Sequence, residues 1–278
     1  MERKQRTIKS EFSYTGIGLH TGQDVTIRCK PMPVDYGIRF KRIDFKQPDE
    51  LEALVDNVIS TKRCTTIGNN EWQINTIEHL MSALNGFNID NLLIEIDANE
   101  PPVTDGSAKV FCDLLREAGI KKQDKKKFIY QIKEPLYVRE DAQYLIVLPA
   151  DEFKVSYTFV SNRDGLNDQF AEFIDETDDY YQSIALARTF GFASEIEALQ
   201  EAGLGLGGSL ENVVLVENDG PINQLRFENE LARHKILDIM GDMKLAGDFV
   251  GHIIGVRSGH RLNSIMAKKI RKSIIREE

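Results

Sequence analysis

Ten residues late in the chain, RHKILDIMGD (Arg233–Asp242), combine an apolar stripe with a row of titratable side chains. His234, Asp238 and Asp242 stand four residues apart, and on a helix such positions lie one above another on a single face. The row is either a solvated stripe or the wall of a site that holds a cation. A second histidine, His79, follows Glu78 in TIEHLMSALNG, where Ile77, Leu80, Met81 and Leu84 have helical spacing. Two histidines and one carboxylate make the usual open zinc site, with a fourth position for water. His79, His234 and Asp238 supply that set if the two helices meet. Glu78 would then stand beside the water as general base. His260, in VRSGHRLN, would protonate the leaving group or steady the developing oxyanion as imidazolium. Asp242, one turn beyond Asp238, would keep it charged.

Each of these signals also has a plain structural reading. H-x-x-x-D pairs recur in solvated helix faces, and His260 after Ser-Gly is compatible with a simple turn. His20, in GIGLHTG, reads as a packed or capping histidine, and His252 as facing solvent or its neighbours. Two histidines and a carboxylate also describe the triad of non-haem iron(II) oxygenases, although the H-x-D/E spacing usual there is absent. A non-catalytic nucleotide-sugar or lipid-binding protein with a structural metal would need a fourth protein ligand, and spacing offers none. GLGLGGSL lacks the Gly-Lys-Ser/Thr ending of a phosphate loop.

The elements that must position these residues follow a repeated order. QDVTIRCKP and YGIRFKRIDF alternate as strands, TKRCTTIGNNEWQI reads as a hairpin, and TIEHLMSALNG reads as a helix with Thr76 as N-cap and Gly86 as stop. NLLIEIDA is a buried strand and AKVFCDLLREAG an amphipathic helix. After the charged, non-periodic KKQDKKKF (121–128), which reads as a linker, the second half repeats strands, a His-bearing helix, a strand and a closing helix. The expectation is an α+β protein of two similar domains, 1–125 and 126–278. A chain of 278 residues suits two domains, and 41% hydrophobic content sustains a packed core. Net charge of −9 argues against nucleic acid as the default partner. Three cysteines, Cys29, Cys64 and Cys112, with no C-x-x-C pair, argue for a reduced, cytoplasmic protein. No apolar h-region opens the chain and no run of about 18 apolar residues occurs. No obligate protein partner is evident.

Seven blocks occur in an order that carries a resemblance: TGIGLHTG (15–22), TIEHLMSALNGFNIDNLLIEID (76–97), PPVTDGSA (101–108), ARTFGF (187–192), GGSLENVVLV (207–216), RHKILDIMGD (233–242) and SGHRLN (258–263). Together they strongly resemble the UDP-3-O-acyl-N-acetylglucosamine deacetylase family, the zinc amidases of lipid A biosynthesis. The specificity rests on the ordered set, above all EHL with H-K-x-x-D-x-x-G-D. The resemblance implies two β-α-α-β domains with helices sandwiched between two sheets and the site in the cleft between domains. It implies Zn²⁺ on His79, His234 and Asp238, with Glu78 as the base and His260 as the cationic histidine paired with Asp242. Thr189 would help hold the oxyanion, and Lys235 would lie at the substrate-binding surface. Arg257 would suit a diphosphate. An insert near 192–220 would form a passage for the acyl chain, and Phe190, Phe192, Leu204 and Ser209 would bind the substrate. Leu204, Leu206, Val213, Val214 and Val216 would give its apolar lining. The implied reaction releases acetate from an acylated nucleotide sugar.

Overall fold

A computed structural model describes residues 1–46, 49–161, 163 and 165–276. Helices and several sheets make it an α+β protein. Two sheets share one five-strand order, the second carrying in addition Tyr130–Gln131 beside the start of its central strand. The first runs Phe12–Ile17, Asp24–Pro31, Leu92–Ile96, Ile38–Arg42, Leu51–Glu52 in spatial order, and the second Leu136–Glu140, Gln143–Leu148, Phe249–Val256, Phe153–Phe159, Gln169–Ile174. In each, the central strand pairs antiparallel on one side and parallel on the other. A helix precedes that central strand and another follows it. Helix α1 (Glu78–Gly86) and α2 (Lys109–Ala118) flank the first, with a short α3 (Ile196–Glu201) between halves of the second set. Helices α4 (Glu230–Lys244) and α5 (His260–Ile275) flank the second.

The alternation in Asp24–Pro31 turns Val25, Ile27 and Cys29 inward. They join one continuous core with Leu80, Met81 and Leu84 of α1, Phe111 and Leu115 of α2, Ile236 and Met240 of α4, Leu262 and Met266 of α5, and Val155 and Ile253 of the second sheet. Helix α1 is enclosed on its polar face as well as its apolar one, so that Glu78, His79 and Ser82 are buried along with Leu80, Met81 and Leu84. From Glu78 to Leu84 every residue is buried. It packs chiefly on α4, and Gly241 sets the distance: a Cβ there would lie 2.1 Å from the Glu78 carbonyl oxygen. The sequence Met240-Gly241-Asp242 therefore brings the α4 backbone against the start of α1.

Two local expectations differ from the structure. Thr76 does not cap α1. It adopts φ of +55°, and its hydroxyl turns 3.4 Å from Glu100 Oε2, while Ile77 occupies the cap position without a side-chain bond. The segment read as a linker is strand Ile120–Phe128, paired antiparallel with Glu2–Ile8. Its partner lies more than a hundred residues away, so a local pattern does not report the pairing. Cross-strand pairs Lys4–Asp124 and Lys126–Glu2 occupy its exposed face. The boundary expected between residues 125 and 126 falls inside this strand. Among the described residues no helix is long and apolar enough to cross a membrane.

Candidate metal and hydrolytic site

Where α1 meets α4, His79, His234 and Asp238 converge, all three buried. One nitrogen from each imidazole and one carboxylate oxygen lie within 4.8 Å of one another. The rings of His79 and His234 stand edge to face with centroids 5.0 Å apart. His234 Nδ1 lies 3.1 Å from the Ala187 carbonyl oxygen. A carbonyl only accepts, so Nδ1 carries the proton and Nε2 presents its lone pair 3.4 Å from Asp238 Oδ1. His79 Nε2 lies 3.8 Å from the same oxygen.

The donor set fits a dication on an observation independent of spacing. Asp238 Oδ1 is buried with no hydrogen-bond donor among the described residues, and an unpaired buried carboxylate oxygen is costly. Its companion Oδ2 accepts a 2.6 Å bond from Lys235 Nζ. Burial opposes the Asp238 charge, but Lys235 first, then the neighbouring imidazoles, hold its carboxyl well below the usual range. Burial pushes the His234 imidazole down to about 3, outweighing the Asp238 carboxylate, and lowers that of His79 for the same reason. Both rings are thus neutral at pH 7, the form in which imidazole ligates a metal.

Glu78 and His260 face this trio. Burial raises the Glu78 carboxyl to about 7, with His260 pulling it down and Asp242 and Asp238 pushing it up. Burial alone would lower the His260 imidazole. Asp242, Glu78 and Asp238 more than offset this and raise it to about 9. His260 Nδ1 lies 3.0 Å from Asp242 Oδ2, and its Nε2 lies 3.9 Å from Glu78 Oε1. At pH 7 the pair is therefore an imidazolium donor beside a carboxyl poised to exchange a proton.

Two residues of the arrangement escaped sequence reasoning. Thr65 donates its hydroxyl to Asp242 Oδ1 at 2.5 Å and its amide to Glu78 Oε2 at 3.0 Å. Asn263 donates to Asp242 Oδ2 at 2.8 Å. Asn263 lay inside the recognised SGHRLN block, and its i+3 spacing from His260 was an available signal. Thr65 arrives from the hairpin and had none.

A cavity of about 530 Å³ opens from the trio and is lined by Thr189, Phe190, Phe192, Leu204, Ser209 and Lys235, besides His79, His234, Asp238, Glu78 and His260. The expected site residues thus gather around one space, apart from two. Asp242 stands behind His260, and Arg257 does not line the cavity; it takes φ of +56° just before Ser258. The apolar wall differs from expectation within the insert. Strand Val214–Glu217 turns Leu215 toward the cavity, as Val213 just before it also does, while Val214 and Val216 bury into a separate small core with Leu166 and Leu231. Period-two alternation forbids all four from sharing a face. Leu206, expected in the lining, is 53% exposed.

The family model for LpxC, UDP-3-O-acyl N-acetylglycosamine deacetylase, matches residues 5–272. The chain belongs to this deacetylase family. Family relatives named UDP-3-O-acyl-N-acetylglucosamine deacetylase include one from Geotalea uraniireducens, 42% identical over 93% of this chain and 85% of its own length. Another from Thioalkalivibrio sulfidiphilus is 41% identical over 96% and 90%. A third from Chlamydia pneumoniae is 39% identical over 99% of each chain. The deacetylase family match spans both five-strand arrays and every residue of the buried cluster.

Proposed function

We propose that the protein is a zinc-dependent amidohydrolase that removes the N-acetyl group of UDP-3-O-(hydroxyacyl)-N-acetylglucosamine and releases acetate, a cytoplasmic step of lipid A biosynthesis. The observation that carries the reading is the buried His79–His234–Asp238 trio, flanked by Glu78 and His260, at the end of an apolar cavity. Membership of the deacetylase family favours it over an iron oxygenase or a binding protein with a structural metal.

His79, His234 and Asp238 would hold the ion. When bound, zinc supplies Lewis acidity that lowers the pKa of a coordinated water from 15.7 to about 7 and polarises the amide carbonyl. The chain's own groups do the rest. Glu78 Oε1, with Oε2 held by the Thr65 amide, is free to take a proton from the attacking water. His260 Nε2 points into the same space, as its Nδ1 is committed to Asp242. As imidazolium it donates to the oxyanion and then to the departing amine. Thr189, also in the cavity lining, would supply a further donor hydroxyl to the oxyanion. Lys235, which reaches the cavity along the Phe190 ring, provides a cation for the anionic substrate. Arg257 would meet the diphosphate outside the cavity. Leu204, Val213, Leu215 and Leu199 offer the acyl chain a dry wall, each buried methylene contributing about 0.8 kcal/mol. That remote binding positions the amide over the base. In this reading residues 1–125 carry Glu78 and His79, residues 126–278 carry α4 and the insert near 192–220, and the reaction occurs between them.

The test is acetate release from the nucleotide-sugar amide by the metal-loaded protein, run beside metal analysis. We expect one zinc per chain and loss of turnover on chelation, restored by zinc. A metal-replete protein inert on this amide would sink the reading.

A further inference from the structure

Thr65 is the one described residue that hydrogen-bonds both Glu78 and Asp242. Its amide donates to Glu78 Oε2 at 3.0 Å and its hydroxyl to Asp242 Oδ1 at 2.5 Å, with the same hydroxyl oxygen 3.3 Å from His260 Nδ1. The residue is 1% exposed. It belongs to the hairpin segment of the first half, whereas Asp242 and His260 sit on α4 and α5 of the second. We propose that Thr65 is a positioning residue that locks the base and the acid of the deacetylase reaction into one register. The proposal rests on the deacetylase reading given above.

The bonding around Asp242 makes the argument. Oδ2 is shared by His260 Nδ1 and Asn263 Nδ2, and Oδ1 has the Thr65 hydroxyl as its donor. A carboxylate accepts several bonds in defined directions. Remove the hydroxyl and Oδ1 becomes a buried acceptor with no donor among the described residues, free to rotate toward another partner. Rotation carries Oδ2 away from His260 Nδ1, and the imidazole loses the contact that aims Nε2 at the reacting atoms. The Thr65 amide meanwhile pins Glu78 Oε2, so that Oε1 is the oxygen left facing His260 Nε2. The chain turns sharply just before this point: Arg63 adopts φ of +70°. The Thr65 carbonyl also accepts from the Ile77 amide at the start of α1. Threonine is suited because its hydroxyl donates in one direction while its methyl fills the buried space. Valine keeps the shape and deletes the donor.

The test uses the zinc-loaded enzyme and its nucleotide-sugar substrate. Thr65→Val is expected to lower kcat by roughly 10- to 100-fold, the effect of a small misalignment of catalytic groups, with KM changed less than about threefold and zinc content unchanged. Thr65→Ser, which restores the donor, is expected to recover most of kcat. Independently of turnover, the His260 Nδ1 proton, donated to Asp242, should give a downfield proton resonance in wild type and Thr65→Ser that shifts or broadens away in Thr65→Val. Wild-type kcat in Thr65→Val, a Thr65→Ser variant as slow as Thr65→Val, an unmoved His260 resonance, or loss of zinc in Thr65→Val would each overturn the positioning role. Failure of the deacetylase reading would show instead in the wild type, as absent acetate release with zinc bound and the resonance comparison still readable.

Discussion

At the scale of single residues, the proposed site gives the neighbouring Glu78 and His260 opposite pKa demands. As the proposed base, Glu78 would have to be ionised to accept a proton, so activity should rise as pH climbs through its value, about 7 without a metal. A dication on the adjoining His79 and Asp238 favours the ionised form and draws that limb lower. As the proposed acid, His260 would have to be protonated, so activity should fall as pH climbs through about 9. We expect a bell-shaped kcat/KM profile whose basic limb disappears in His260→Gln. A profile flat from about pH 6 to 10 would contradict the acid and base assignments. Glu78→Gln should cost about 10²- to 10⁴-fold in kcat with zinc retained, whereas His234→Ala should lose zinc and keep the fold, measured by metal analysis and circular dichroism. Helical spacing exposed His234, Asp238 and Asp242 in the sequence, because side chains four apart share one helix face, whereas Glu78 and His79 showed only as neighbours at the start of an apolar-periodic segment. The Ala187 carbonyl that sets the His234 tautomer was not legible, since a backbone group carries no side-chain identity.

At the scale of elements, the α1–α4 contact decides whether the three proposed ligands, His79, His234 and Asp238, meet. With a Cβ at Gly241 only 2.1 Å from the Glu78 carbonyl, Gly241→Ala must push the helices apart. The expected cost is about 1–3 kcal/mol of stability, read by urea titration, together with weaker zinc retention. A variant as stable and as metal-retentive as wild type would show that the contact is looser than drawn. The insert shows alternation at work. Val213 and Leu215 face the cavity, so Val213→Phe is expected to raise KM for long acyl chains more than for short ones. Val216→Ala, on the opposite face, should reduce stability and leave chain-length preference alone. Helices and central strands were legible from periodicity. Strand Ile120–Phe128 was not, because its lysine-rich residues follow no apolar period and its partner lies at the other end of the first half.

At the scale of the whole molecule, the two like arrays are fastened by charge on the ribbon formed by Glu2–Ile8 and Ile120–Phe128. Arg3 bridges Asp90, just ahead of one central strand, to Asp248, just ahead of the other. Lys127 reaches the same two carboxylates, and Lys244 also pairs with Asp248. Burial opposes the Asp248 charge, but Lys244, Lys127 and Arg3 outweigh it and hold its carboxyl far below the usual range. A depressed folded-state pKa contributes stability that is fully present above the unfolded carboxylate value, about 3.9, and is lost as pH falls through the folded value. Wild type should therefore lose stability below about pH 4. Asp248→Asn, which leaves the buried Lys244 ammonium without its carboxylate, should cost about 3–5 kcal/mol at neutral pH and flatten the acid dependence, both followed by denaturant unfolding. An Asp248→Asn variant matching wild type would remove the network from the account.

What the sequence determined by itself was the chemistry on offer: which side chains share a helix face, where helices and central strands run, and that the two halves repeat one order. These depend on residue type and short spacing, which govern local conformation and amphipathicity. Only tertiary structure decided that α1 and α4 touch at Gly241, that Thr65 enters from a hairpin to join Glu78 with Asp242, and which insert residues face the cavity. Those outcomes depend on contacts between residues far apart in the chain, whose register is settled by packing and by the need to satisfy buried polar groups.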